Sequence, residues 1–130
     1  MTKEKISIVK IGGNIIEDEN ALKLFLQLFS KLAGKKILIH GGGKRATQFA
    51  SKLGITSKMI DGRRITDKET LEVITMVYAG LVNKKIVAQL QAFETNAMGL
   101  TGADINSIQS EKRPVKEIDF GFVGDVKQVN

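Results

Sequence analysis

The chain has 130 residues, 42% of them hydrophobic, which is enough for one ordinary core and too little for two. It has no Cys and a single His, His40, which excludes a disulfide scaffold, a thiolate metal centre and a His-cluster metal site, and suits a reducing compartment such as the cytoplasm. Twenty Lys and Arg against 14 Asp and Glu give a net charge of +6, but the basic pairs Lys35/Lys36, Lys44/Arg45, Lys84/Lys85 and Lys112/Arg113 are dispersed and aromatics make up only 5%. That pattern argues against a nucleic-acid partner and fits an anionic substrate. The polar start and the interruptions at Ser7 and Lys10 exclude a signal peptide, and no apolar stretch is long enough for a membrane span.

Residues 6–11 are nearly continuously apolar, which predicts a parallel strand covered on both faces. Lys10 breaks the pattern at the carboxyl end, where ligands bind in open α/β sheets, and Gly12-Gly13 follow. Over 19–33, Leu22, Phe25, Leu26, Phe29, Leu32 and Ala33 recur at helical spacing, with Asp18 as N-cap and Gly34 as the closing glycine. Residues 37–40 form a second strand that runs into Gly41-Gly42-Gly43. A second amphipathic helix over 44–53 follows, with Ala46, Phe49, Ala50 and Leu53 on one face, ending at Gly54. Strand, glycine turn and helix thus occur twice, which predicts a parallel sheet with right-handed crossovers.

Further along, 58–60 and 63–65 flank Asp61-Gly62 and read as a short, polar hairpin flap. Thr66-Asp67-Lys68-Glu69 is a capping box that opens a long helix over 67–94, striped by Leu71, Ile74, Val77, Tyr78 and Leu81 and then Ile86, Leu90 and Phe93. Gly80 inside it costs about 1 kcal/mol relative to Ala and predicts a close packing partner or a break. Residues 97–100 read as a third parallel strand and 101–104 as a loop. Residues 105–109, 115–118 and 122–126 read as short strands of an antiparallel extension. No repeat or linker divides 1–130, which reads as one domain or part of one.

Consecutive glycines let backbone N–H groups turn toward a ligand, and a following helix adds the partial positive charge of its N-terminus. Two glycine turns and Lys10 therefore point to an anion. Gly41-x-Gly43-x-x-Ala46, with Asp61 about twenty residues on, also fits a relaxed dinucleotide fingerprint, although it follows the second strand. A P-loop is excluded, because Leu38 stands where its first glycine belongs and Arg45 where its Ser or Thr belongs. A lipase-like oxyanion loop would need a G-x-S-x-G elbow, which this sequence lacks.

Five separated motifs resemble the acetylglutamate kinases of the amino acid kinase superfamily. They are Val9-Lys10-Ile11-Gly12-Gly13, His40-Gly41-Gly42-Gly43, Asp61-Gly62-Arg63-Arg64-Ile65-Thr66, Gly99-Leu100 with Gly102 and Asp104, and Gly121-Phe122-Val123-Gly124. The resemblance implies an α/β fold, a three-layer αβα sandwich with a mainly parallel central sheet. In it, 1–130 would be the N-terminal, acylglutamate-binding half, and the nucleotide-binding half would lie outside this chain. It implies phosphorylation of the side-chain carboxylate of N-acetyl-L-glutamate by ATP with Mg²⁺, in arginine biosynthesis. By motif, Lys10 would neutralise the phosphoryl group in flight, Gly12 and Gly13 would bind phosphate, and Gly42, Gly43 and Arg64 would bind the substrate. His40 would be structural and Arg63 solvated. A carboxylate nucleophile is already ionised at neutral pH and needs no general base, which agrees with the lack of His and Cys chemistry.

The loop Gly102-Ala103-Asp104-Ile105-Asn106 departs from the commoner form of the family, which has a glycine after the Asp. A cytoplasmic homodimer is expected, built partly on the 67–94 helix around Tyr78 and Gly80. With only residues 1–5 ahead of the first strand, an arginine-type hexamer is not expected. The 130 residues alone would be inactive. Two other classes stay open at this point: an NAD-binding half-domain of an oxidoreductase, and a non-catalytic module that binds an acidic metabolite.

Overall fold

A computed structural model describes residues 5–130. Strands β1 (Ile6–Lys10) and β2 (Lys35–Ile39) pair in parallel, with Ile8 opposite Ile37 and Lys10 opposite Ile39. The connection between them is helical. A single helix is predicted over 19–33, but α1 (Gly13–Glu17) precedes α2 (Glu19–Ser30), and Asp18 between them is extended. Its carboxylate accepts the Asn20 and Ala21 N–H groups at 2.9 Å, which makes it the predicted N-cap. The helix ends three residues short of prediction, because the Lys36 ammonium takes the Ser30 and Leu32 carbonyls, each at 2.7 Å. Gly34, with φ +79, turns the chain into β2.

Helix α3 (Gly43–Lys52) leads to the hairpin of β3 (Lys58–Ile60) and β4 (Arg63–Ile65). Asp61 and Gly62 both have positive φ, +48 and +75, as a type I′ turn requires. The long helix runs without interruption as α4 (Lys68–Ile74), a π-helical segment (Thr75–Val82) and α5 (Asn83–Ala92). Gly80 thus marks a break in α-helical bonding, and a Cβ placed there would meet nothing within 4 Å. The cap is Asp67, which accepts the Thr70 N–H at 2.8 Å, instead of Thr66. Thr66 is buried one position outside, its backbone bridging Phe120 at 2.9 Å and Phe122 at 2.7 Å, so it cannot also open the helix.

The predicted third parallel strand does not form. Residues 97–100 are irregular, because α5 side chains engage their carbonyls: Gln91 Nε2 donates to Ala97 and Lys84 Nζ to Gly99, both at 3.1 Å. The antiparallel extension is present as β5 (Ile108–Lys112) and β6 (Gly124–Val129). A 3₁₀ turn at Asp104–Asn106 replaces the start of the first predicted strand, with Asp104 accepting the Thr101 N–H at 2.6 Å. Residues 115–118 form no strand.

One core holds the helices and the parallel sheet together, and neither the hairpin nor the β5–β6 pair contributes a residue to it. Leu22, Leu26 and Phe29 of α2, Ala46 and Ala50 of α3, and Val73, Val77, Val82, Ile86 and Leu90 of the long helix are buried, with Val9 and Leu38 packed against them from the sheet. Cover on both faces is predicted, but the described residues cover one. On the other, Ile6, Ile8, Ile37 and Ile39 are 53%, 69%, 45% and 45% exposed. No helix among the described residues is long and apolar enough to cross a membrane.

Hydrogen bonds from Thr70, first its side chain and then its backbone N–H, hold the Asp67 carboxyl below the ordinary carboxylate range. A folded-state value below the unfolded one contributes stability above the unfolded pKa of about 4, and that stability is lost as pH falls through the folded value. Asp67→Asn still caps but does not titrate. Its melting temperature, followed by circular dichroism, should fall less steeply than that of the wild type between about pH 5 and 2. Parallel profiles would contradict the role of Asp67.

Candidate active site

The parallel register sets the two glycine turns side by side. The Ile11 N–H donates to the Ile39 carbonyl at 2.9 Å, so Gly12-Gly13 and Gly41-Gly42-Gly43 leave neighbouring strands at the same sheet end. Lys10 is the last residue of β1, exposed, and its ammonium has no partner among the described residues. A Cβ at Gly12 or Gly13 would meet nothing within 4 Å, so this turn borders open space. Gly12 and Gly42 are the N-caps of α1 and α3, and neither helix has a side-chain cap. Their first-turn N–H groups are left for other acceptors.

The second turn is enclosed. Gly42 is buried with φ 166, extended backbone that any residue adopts, so its need for glycine is steric. A Cβ there would stand 2.9 Å from Cδ1 and 3.1 Å from Cε1 of Tyr78, and one on Gly43 would stand 3.3 Å from the Tyr78 hydroxyl. Arg64, on β4, reaches the same place: its Nη2 donates to the Gly43 carbonyl at 3.1 Å and to Thr47 Oγ1 at 2.8 Å. Its Nη1 is buried without a hydrogen-bond partner. A desolvated guanidinium nitrogen left unpaired is costly, which makes it the strongest sign of an acidic ligand here. Arg63, its neighbour, is exposed as predicted.

His40 ties the turn to the long helix. Its Nδ1 lies 2.9 Å from the Gly41 carbonyl and must donate, so Nε2 accepts from Asn83 Nδ2 at 3.1 Å. His40 is structural, as predicted, but its partner has no signature in the sequence, because the two lie 43 positions apart. Asn83 is buried and its Oδ1 is unpaired beside Gly99. Lys44 donates to Asn14 Oδ1 at 2.6 Å and thereby links the starts of α1 and α3. Sequence reasoning missed Asn14, Thr47 and Asn83, and it marks Tyr78 only as part of the apolar stripe and of the expected dimer contact, not at the glycine turn. Asp61 occupies the exposed tip of the hairpin and serves the turn, so the dinucleotide pattern gains no support from it. Lys10 and Arg64 share no direct contact.

A Cβ at Gly99 would overlap the Asn83 amide and come 2.9 Å from Val87 Cγ2. Gly99→Ala should therefore destabilise the protein by about 1–3 kcal/mol in urea unfolding, and less once Asn83→Ala has opened the space. Additive effects would show that the two do not meet.

Residues 5–130 match the model of the amino acid kinase family. The chain is 62% identical over 128 residues to the acetylglutamate kinase of Phocaeicola vulgatus and 61% identical over 127 residues to that of Parabacteroides distasonis, in each case covering 98% of this chain and 50% of the relative. It thus spans about half the length of the curated relatives it matches. Among solved structures, smu.665 from Streptococcus mutans UA159 aligns with a TM-score of 0.73 over 96% of this chain and 51% of that one, at 22% identity, a likeness of fold. A match that takes in every described residue leaves no segment outside it: the chain belongs to the amino acid kinase family.

Proposed function

We propose that this chain is the N-terminal, acylglutamate-binding half of an acetylglutamate kinase, with the nucleotide-binding half outside it. The observation that carries this reading is Arg64, anchored at the glycine turn with a buried, unpaired nitrogen aimed at no protein acceptor. The relatives named acetylglutamate kinase, twice as long as the stretch they share with this chain, support it. So does the apolar face of β1 and β2 that no described residue covers, which the remaining half would cover.

In this reading Arg64 and the N–H groups of Gly42 and Gly43 hold a carboxylate of N-acetyl-L-glutamate, and the side-chain carboxylate is the nucleophile. ATP supplies the phosphoryl group. Attack brings like charges together, so the protein contributes position and compensating charge. Lys10, exposed at the strand end, neutralises the phosphoryl oxygens, and the N–H groups of Gly12 and Gly13 bind them in the open turn. No group of three or more acidic or imidazole side chains that could hold Mg²⁺ occurs among the described residues, so no step is assigned to the metal here. The full-length enzyme is, in this reading, a cytoplasmic homodimer that pairs through the long helix, where Met76 and Leu81 are exposed on either side of Gly80.

In the full-length protein, Arg64→Ala should raise KM for N-acetyl-L-glutamate by about 10- to 100-fold, with little change in KM for ATP. Lys10→Ala should lower kcat by about a hundredfold or more. Wild-type kinetics in either variant would remove the corresponding role. Sedimentation at micromolar concentration should give a dimer; a monomer would contradict pairing through the helix.

A further inference from the structure

Arg64 alone cannot saturate a carboxylate. Both N–H groups of its Nη2 are spent on the Gly43 carbonyl and Thr47 Oγ1, which removes the two-nitrogen fork that usually grips both oxygens. Nη1 and Nε remain, on separate edges of the guanidinium, so neither has a second free nitrogen beside it. Beside Arg64 and the Gly42 and Gly43 N–H groups, the carboxylate still has lone pairs for a further donor.

Tyr78 stands there. It is carried by the π-helical segment Thr75–Val82, a distortion that recurs at functional sites. Its ring lies along Gly42 in place of a Cβ, and its hydroxyl reaches Gly43, the residue whose carbonyl anchors Arg64. The ring packs on the core, yet the hydroxyl makes no hydrogen bond to any described residue. Packing against glycine asks only for a ring. A hydroxyl at the mouth of the turn adds a donor that the fold itself does not use.

We infer that Tyr78 is a substrate-binding residue: its hydroxyl donates to the carboxylate held by Arg64 Nη1, completing the set of donors and fixing the tilt of the bound N-acylglutamate. This rests on the acylglutamate site proposed above. It also gives a physical reason for the glycine at position 42, since any side chain there would displace the ring and with it the hydroxyl.

The test is steady-state kinetics of the full-length protein carrying Tyr78→Phe, with N-acetyl-L-glutamate and ATP varied separately. Losing one hydrogen bond to a charged acceptor should raise KM for the acid by about tenfold, with much smaller changes in kcat and in KM for ATP. The melting temperature should stay close to that of the wild type, because Phe keeps the ring. Tyr78→Leu, which removes the ring as well, should show at least as large a rise. An active wild type whose Tyr78→Phe variant keeps its KM for the acid would overturn this inference and leave the kinase assignment standing. A wild type that phosphorylates no N-acylglutamate would overturn both.

Discussion

The candidate site depends on how one backbone loop is held. Residues 41–43 could not form a fixed cradle by themselves, because glycine has the most conformational freedom to lose. Three contacts fix them: the Arg64 guanidinium on the Gly43 carbonyl, the Tyr78 ring on Gly42, and the neighbouring His40, oriented by Asn83, on the Gly41 carbonyl. Arg64 comes from the hairpin, and Tyr78 and Asn83 from the long helix, so the loop is as rigid as the packing of those elements on α3. The neighbouring turn at Gly12-Gly13 is held by strand pairing and, through α1, by the Lys44–Asn14 bond, the Arg45–Glu17 ion pair and the burial of Ile11 and Ile16, and it borders open space. An enclosed turn beside an open one suits a site that grips one ligand firmly and admits a second.

The parts of this arrangement that the sequence made legible are those with local causes. Asp61-Gly62 forces a type I′ turn, Asp18 caps α2, and Val77, Ile86 and Leu90 of the predicted stripe are buried, although Leu81 of the same stripe is exposed. The glycine turns and Lys10 were visible because the chemistry they suit needs those residue types after a strand. What escaped was decided by hydrogen bonds that no periodicity announces, several of them to distant residues. The Lys36 ammonium shortened α2, the pairing of Thr66 with Phe120 and Phe122 moved the cap to Asp67, and α5 side chains kept 97–100 out of the sheet. Asn83 and Thr47 carry no motif, and only the fold brings them to His40 and Arg64.

The family also explains what the described residues leave unfinished. A two-stranded parallel sheet with one apolar face exposed is not a stable unit on its own, since parallel sheets are buried on both sides. Here Ile6, Ile8, Ile37 and Ile39 line the uncovered face, and the chain spans half the length of its curated relatives. In the proposed enzyme the same sheet end that presents Lys10 to phosphate would then be completed by residues from the other half. In that proposal this chain would recognise the acid, and the nucleotide would lie across the opening beside Gly12-Gly13.

The central claim is that the enclosed glycine turn and Arg64 receive the acidic substrate. Amide correlation spectra of the isotope-labelled full-length protein, recorded as N-acetyl-L-glutamate is added, test it most directly. The account predicts that the Gly42 and Gly43 amides and the Arg64 side-chain resonances shift together and saturate at one affinity. Saturable shifts confined to β5 and β6 or to the hairpin tip, with Gly42, Gly43 and Arg64 unmoved, would contradict it.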